Sequence, residues 1–282
     1  MPQLMQFAHY IPHRPEAYSY VLPAYSATDF DPISGLPVPP SDFWVNYGSS
    51  PAEYLESGRQ DVEKMRQIVE QSGAPIDKAD RILEFGCAAG RMIRWLGDLA
   101  PTHEIWGVDI WASAILWCKE HLGSLHFATT TINPHLPFED HYFDFAYAGS
   151  IFTHIEDLTD AWFLELRRIL RPAGKLYFSI NDRRAVAVFE GQRTEEEFER
   201  YYKRTGGKQG WNEFVDNWLR PRPEYQRFKN EEVNMVTINR SMASHVLWDA
   251  EFLCKRQEPF WRVLSINERA YGHQTTVLLE RK

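Results

Sequence analysis

Between Arg81 and Ile180 the chain alternates short apolar runs with longer amphipathic ones, and this alternation limits the fold more than any other feature. RILEF, EIWGVD, SLHFAT, FDFAYAGS and KLYFSI read as strands. Between them, the segment from Gly90 to Leu99, ASAILWCKEHL and LTDAWFLELRRILRPAG read as helices, the last stopped by Pro172 and Gly174. Strands separated by helices of this length form βαβ units, so the pattern predicts a doubly wound α/β fold: a mostly parallel sheet with helices on both faces. The last two apolar runs, FWRVLSI and QTTVLLE, fit an antiparallel pair at the sheet edge near the C-terminus.

The flanking segments break the alternation. Residues 1–50 are rich in Pro and Tyr, a mixture that suits neither a helix nor a central strand. Their aromatics argue for an arm or lid packed on the domain. A helix is expected from Pro51 to about Val69, with Ser49 or Ser50 as cap and Gly58 as a candidate break. Residues 51–182 then form the α/β core. Residues 183–230 read as a helical insertion (TEEEFERYYKRTG, WNEFVDNWLR) over the C-terminal edge of the sheet, where this fold binds ligands. A plain structural cap is the alternative. Residues 231–282 complete the core with VNMVTI, a helix around SHVLWDAEFLCKR, and the final strands.

Composition narrows the partners. The net charge of −8 over 282 residues opposes a nucleic-acid phosphate backbone. Cys87, Cys118 and Cys254 show neither zinc nor disulfide spacing, so no metal is expected and a reducing cytoplasm is the expected compartment. The Pro-broken N-terminus lacks a secretory apolar core, and no run approaches the ~20 apolar residues of a membrane span. Aromatics make up 14%, with ten Trp, enough for a large core, an aromatic-lined small-molecule pocket, or both.

The loop in RILEFGCAAGR should receive a nucleotide-like cofactor. A P-loop would need Lys and Ser or Thr after its glycines, whereas Gly90 is followed by Arg91 and Met92. A dinucleotide loop spaces glycines G-x-G-x-x-G, whereas here the small residues fall at every second position: Gly86, Ala88 and Gly90. Glu84 would repel a pyrophosphate and suits a ligand with an ammonium or hydroxyl group. Asp109, about 20 residues past the loop, stands where an acid bonds ribose hydroxyls. Each has a structural alternative, Glu84 as a salt-bridge partner and Asp109 as a helix cap.

LEFGCAAGR, GVDI, LPFEDHYFDFAYAGSIFTHI and RILRPAGKLYFSI together resemble the class I S-adenosylmethionine-dependent methyltransferases over about residues 50–180. The resemblance implies that Glu84, Gly86, Cys87, Ala88 and Gly90 cradle the methionine part of S-adenosylmethionine. Asp109 would take the ribose hydroxyls and Ile110 would flank the adenine, with Thr131, Asn133 or the backbone there supplying the further adenine contact. Gly149 and Ser150 would line the transferring methyl. Ala88 departs from the family, which usually has glycine there.

A methyl acceptor must be held in line with the S–CH₃ bond, and a hydroxyl acceptor also needs a base. His154, just past the fourth strand, is the candidate base; His273, Tyr47, Tyr54 and Arg59 could also face the site. The sequence lacks the marks of base amino methylation, a metal-dependent catechol enzyme and pyrimidine C5 chemistry. The expected acceptor is a hydroxyl, carboxyl or amine of a small molecule, a sugar or secondary metabolite first, with Trp211, Trp218, Tyr201 or Tyr202 available to stack on it. Methylation of RNA or protein, and a non-catalytic cofactor-binding scaffold, are the alternatives.

Overall fold

The computed structural model describes residues 29–32, 34–45, 47–73, 75–192, 194, 213–239 and 244–282. Most of the N-terminal arm, nearly all of TEEEFERYYKRTG, and Trp211 therefore lie outside the described residues.

A seven-stranded sheet organises the chain in the order β10-β11-β7-β6-β3-β4-β5. Its parallel strands are β3 (Arg81–Phe85), β4 (Glu104–Asp109), β5 (His126–Thr129), β6 (Phe143–Ala148) and β7 (Leu170–Ile180). β11 (Gln274–Arg281) runs antiparallel to β7, and β10 (Trp261–Tyr271) antiparallel to β11, giving the C-terminal antiparallel pair. The doubly wound sheet is the one the alternation predicts. From β3 the chain winds to β4 and β5, then returns to the other side of β3 as β6. This reversal opens a crevice beyond the C-terminal ends of β3 and β6.

Alternate strand residues point to opposite faces, and each face has its own core. Ile82, Ile105, Phe145 and Tyr177 pack with α1 (Pro51–Gln71) and α2 (Ala112–His121). Leu83, Val108, Ala146 and Phe178 pack with Trp162, Phe163 and Leu166 of α3 (Thr159–Ile169) and Leu253 of α6 (Ala250–Gln257). A smaller cluster joins α4 (Arg183–Phe189), α5 (Pro223–Lys229) and the hairpin of β8 (Met235–Ile238) and β9 (His245–Trp248) above the sheet edge. Of the N-terminal segment, a short hairpin of β1 (Asp29–Phe30) and β2 (Pro37–Val38) is followed by Phe43 and Trp44, both buried against the core.

Several local expectations are corrected. Gly58 does not break α1, which is continuous. A Cβ there would lie 2.1 Å from the Arg91 carbonyl, so the glycine serves close packing. The helix expected from Gly90 to Leu99 shrinks to a 3₁₀ turn at Ile93–Leu96. The Gly90 carbonyl, which an α-helix would give to the Arg94 amide, instead accepts Arg94 Nε at 2.8 Å. SHVLWDAEFLCKR divides into β9 and α6, because β9 pairs with β8 and Asp249 caps α6 through the Phe252 amide at 2.9 Å. Within WNEFVDNWLR, Phe214–Leu219 winds as a π-helix.

Candidate functional site

The loop after β3 is held from below by β4. The Gly86 and Cys87 amides donate to the Val108 carbonyl at 2.8 and 3.0 Å, and the Gly90 amide to Cys87 O at 2.8 Å. Gly86 (φ +82°) and Gly90 (φ +73°) adopt left-handed backbone. A side chain at either position would push a neighbouring side chain aside: a Cβ would fall 2.0 Å from Ile151 Cδ1 at Gly86 and 2.6 Å from Leu122 Cδ1 at Gly90. Ala88 also has positive φ (+44°), which costs an L-residue about 1–2 kcal/mol. Its amide donates to Asp109 Oδ2 at 2.7 Å, and the buried thiols of Cys87 and Cys118 both point at its carbonyl, each 3.7 Å away.

Asp109 ends β4 and binds in two directions. Oδ2 holds the loop, while Oδ1 accepts the Trp111 amide at 2.8 Å at the start of α2. The side chain is half-buried, and each carboxylate oxygen keeps a further lone pair. Burial pushes its pKa up, opposed by the backbone N–H donors. Asp109 thus bonds the amide of the residue before α2 rather than capping the helix, which leaves the carboxylate able to accept hydroxyl protons.

Glu84 is enclosed, 3% exposed, and accepts a hydrogen bond from the Tyr147 hydroxyl at 3.0 Å. Burial pushes its carboxyl up to about 8, against the lowering effect of Tyr147 and nearby Arg91. Arg91 spends its own charge on Asp61 of α1, at 2.8 Å. Two carboxyls without a direct cationic partner among the described residues, at adjoining strand ends, suit a ligand carrying an ammonium and vicinal hydroxyls. The enclosure of Glu84 means that its influence on such a ligand is largely electrostatic.

Ile110 is half-buried beside Asp109. Thr131, by contrast, is occupied in its own turn, accepting the Asn133 amide at 3.1 Å, and leaves Ile132 exposed beside it. Across the crevice, Gly149 lies under the Tyr271 ring, where a Cβ would meet ring atoms at 2.9 Å. Ser150 is left-handed (φ +58°), and its amide donates to Ser179 Oγ at 2.7 Å. His154, on the same loop, is solvent-accessible, with Nδ1 2.7 Å from the Ser244 carbonyl. Protein around the ring lowers its pKa, opposed by that carbonyl.

Of the other candidates, Tyr54 is buried, stacks on Trp44, and directs its hydroxyl to the Ala89 carbonyl of the loop at 3.5 Å. Arg59 is paired on the outer face of α1 with Glu56 and Glu63. His273 Nε2 meets Asn181 Oδ1 at 3.1 Å. Asp182 caps α4 through the Arg184 and Ala185 amides. Among the described residues no His, Cys, Asp or Glu group is placed to hold a metal ion.

Tyr47 does reach the site region. Its ring lies 3.8 Å from the Arg91 guanidinium, and its hydroxyl accepts from Tyr271, which itself accepts from Arg91 at 2.5 Å. This cluster of Arg91, Asp61 and Tyr271 carries no local sequence signal. Its members come from α1, the loop and β10, and the Arg91–Tyr271 bond spans 180 residues.

Residues 83–178 match the family model described as a methyltransferase domain. Over these residues the chain carries a methyltransferase domain. The match spans β3 to β7, including the Gly86–Gly90 loop, Asp109 and the Gly149–His154 segment. Among solved structures, the PH0226 protein from Pyrococcus horikoshii OT3 superimposes with a TM-score of 0.57 at 19% identity, over 84% of this chain and 95% of that one. A second structure concerns the conversion of a disulfide bond into a thioacetal group during echinomycin biosynthesis. It matches with a TM-score of 0.50 at 15% identity, over 77% of this chain and 82% of that one. At these identities the two neighbours share the fold of the methyltransferase domain.

Proposed function

We propose that this methyltransferase acts on a hydroxyl group of a small molecule, a sugar or secondary metabolite, with His154 as the general base. The observation that carries this reading is the His154–Ser244 contact. A carbonyl only accepts, so Nδ1 must hold the ring proton, which leaves the Nε2 lone pair outward and available. The lowered pKa keeps the imidazole in its neutral, basic form at pH 7. Neighbouring His245, with a ring centroid 5.9 Å away, is lowered to about 4 and is also neutral there. Two uncharged imidazoles offer no counter-charge to a carboxylate, whereas a hydroxyl must give up a proton as it attacks.

S-adenosylmethionine, when bound, supplies an activated methyl group on its sulfonium. On the donor side, Gly86, Cys87, Ala88 and Gly90 form its backbone cradle, and Glu84, protonated at neutral pH in the ligand-free chain, ionises as an ammonium arrives beside it. Asp109 accepts ribose hydroxyls, Ile110 flanks the adenine, and Thr131 contributes through its turn rather than a free hydroxyl. On the acceptor side, Gly149 and Ser150 line the transfer position. The cap cluster excludes water, and Trp218 and Phe214, which ring His245 at 5.0 and 5.5 Å, offer apolar surface. The net charge of −8 supports a small acceptor over RNA. Three buried free cysteines support a reducing, cytoplasmic setting. No helix among the described residues is long and apolar enough to cross a membrane.

Calorimetric titration with S-adenosylhomocysteine, with NADH as control, tests the donor half. Transfer to small hydroxyl compounds that is insensitive to salt tests the acceptor half. Preference for NADH would overturn the first, and steeply salt-dependent transfer to RNA the second.

A further inference from the structure

Ser150 sits inside a closed ring of hydrogen bonds whose proton directions can all be assigned. Its amide donates to Ser179 Oγ at 2.7 Å. The fully buried Ser179 hydroxyl must then send its own proton to Gln274 Oε1, 2.7 Å away. Gln274 Nε2 donates to Ser150 Oγ at 2.8 Å. The Thr153 hydroxyl donates to the Ser150 carbonyl at 2.9 Å, so the Ser150 hydroxyl donates across the 3.1 Å gap to Thr153 Oγ1. Reversing the Gln274 amide would leave the Ser179 proton buried without an acceptor, a costly arrangement.

The ring encloses a strained turn. Serine with φ +58° is disfavoured, and it persists only where its surroundings determine it. Gln274 supplies that constraint from a distant part of the chain. It follows the tight turn at Gly272 (φ +62°), and its neighbour Thr275 pairs with Ile180 at the end of β7. The same turn sends Tyr271 over Gly149. The segment so held is also pinned ahead of His154, whose amide donates to Ile151 O at 2.9 Å, while the Val246 amide donates to Thr153 O.

We propose that Gln274 is a positioning residue of the methyl-transfer site. By closing the ring it holds Ser150 left-handed, and so sets the path of Gly149–His154 between the cofactor loop and the acceptor. The proposal rests on reading that segment as the transfer side of the site.

The test compares wild type with Gln274→Ala, Ser179→Ala and Gln274→Glu, by ¹⁵N-histidine NMR of His154 and by calorimetric titration with S-adenosylhomocysteine. In wild type His154 shows the Nδ1–H tautomer. Gln274→Ala and Ser179→Ala are expected to reduce that tautomer and to weaken S-adenosylhomocysteine binding about three- to tenfold. Gln274→Glu, protonated when buried, offers the same donor and acceptor and is expected to retain both properties near pH 6. Should Gln274→Ala fail to fold, Ser179→Ala and Gln274→Glu carry the comparison. A lower melting temperature with tautomer and affinity both at wild-type values would make Gln274 a structural residue only and overturn the proposal. Failure of wild type to bind S-adenosylhomocysteine would instead strike the donor reading, while the tautomer comparison would still decide the role of Gln274.

Discussion

The Gly86–Gly90 loop and the Gly149–His154 segment face the same crevice, yet they are held in different ways. The first is fixed by its nearest neighbour in the fold, through Val108 and Asp109 on the adjoining strand, with glycines at two of its left-handed positions. The second is fixed from afar: Ser179, Gln274 and Ser244 lie 29, 124 and 90 residues from their partners in the segment. On the proposed reading, the ties of the donor loop lie within one βαβ unit, whereas the transfer segment is tied to the cap and the C-terminal strands and touches the donor loop where Ile151 packs against Gly86.

Two substitutions set this contrast against measurement. His154→Ala is expected to lower the transfer rate by about 10²–10⁴-fold while S-adenosylhomocysteine affinity stays within twofold. Unchanged rates would remove His154 as the base. Asp109→Ala should show the opposite pattern, with affinity for S-adenosylhomocysteine falling by more than tenfold, because both the ribose acceptor and the tie to the Ala88 amide are lost. If binding in that variant matches wild type in the same calorimetric titration, the donor assignment fails.

Glu84 gives a smaller, pH-dependent effect. Its carboxyl is raised from 4.5 to about 8 in the folded chain. The stabilising proton is therefore held by both states below about 4.5, and only by the folded state between 4.5 and 8. Across that window an unfolded chain binds fewer protons, so stability falls with rising pH, at most by about 1.4 kcal/mol per unit. Glu84→Gln should remove this slope and leave the ligand-free protein more stable at pH 8. Urea unfolding midpoints from pH 5 to 9 check it: parallel curves for the two proteins would show that Glu84 is already ionised when folded.

What could be read in the sequence follows the same division. The strand alternation, the every-second-residue loop and Asp109 are local patterns, and they led directly to the doubly wound sheet and the methyltransferase domain. Errors arose where side chains took over backbone partners, as Arg94 did at Gly90, or where a glycine served packing rather than bending, as Gly58 did against Arg91. Gln274, Tyr271 and Arg91 could not be picked out, because their meaning comes from contacts that only the closed sheet creates.

Ala88 provides the finest test of the donor side. Its left-handed backbone costs about 1–2 kcal/mol that a glycine would not incur, but glycine also gives the unfolded chain about 0.5–1 kcal/mol of extra freedom. The two effects nearly cancel, so Ala88→Gly should stabilise by less than about 1.5 kcal/mol, read as a rise of no more than a few degrees in melting temperature. The Asp109–Ala88 tie and the paired Cys87 and Cys118 thiols hold the loop whichever residue occupies the position. S-adenosylhomocysteine affinity should therefore change less than threefold in Ala88→Gly, far less than in Asp109→Ala. A larger loss would mean that the alanine methyl itself helps to shape the cradle, and that the departure from glycine is part of how this loop fits its ligand.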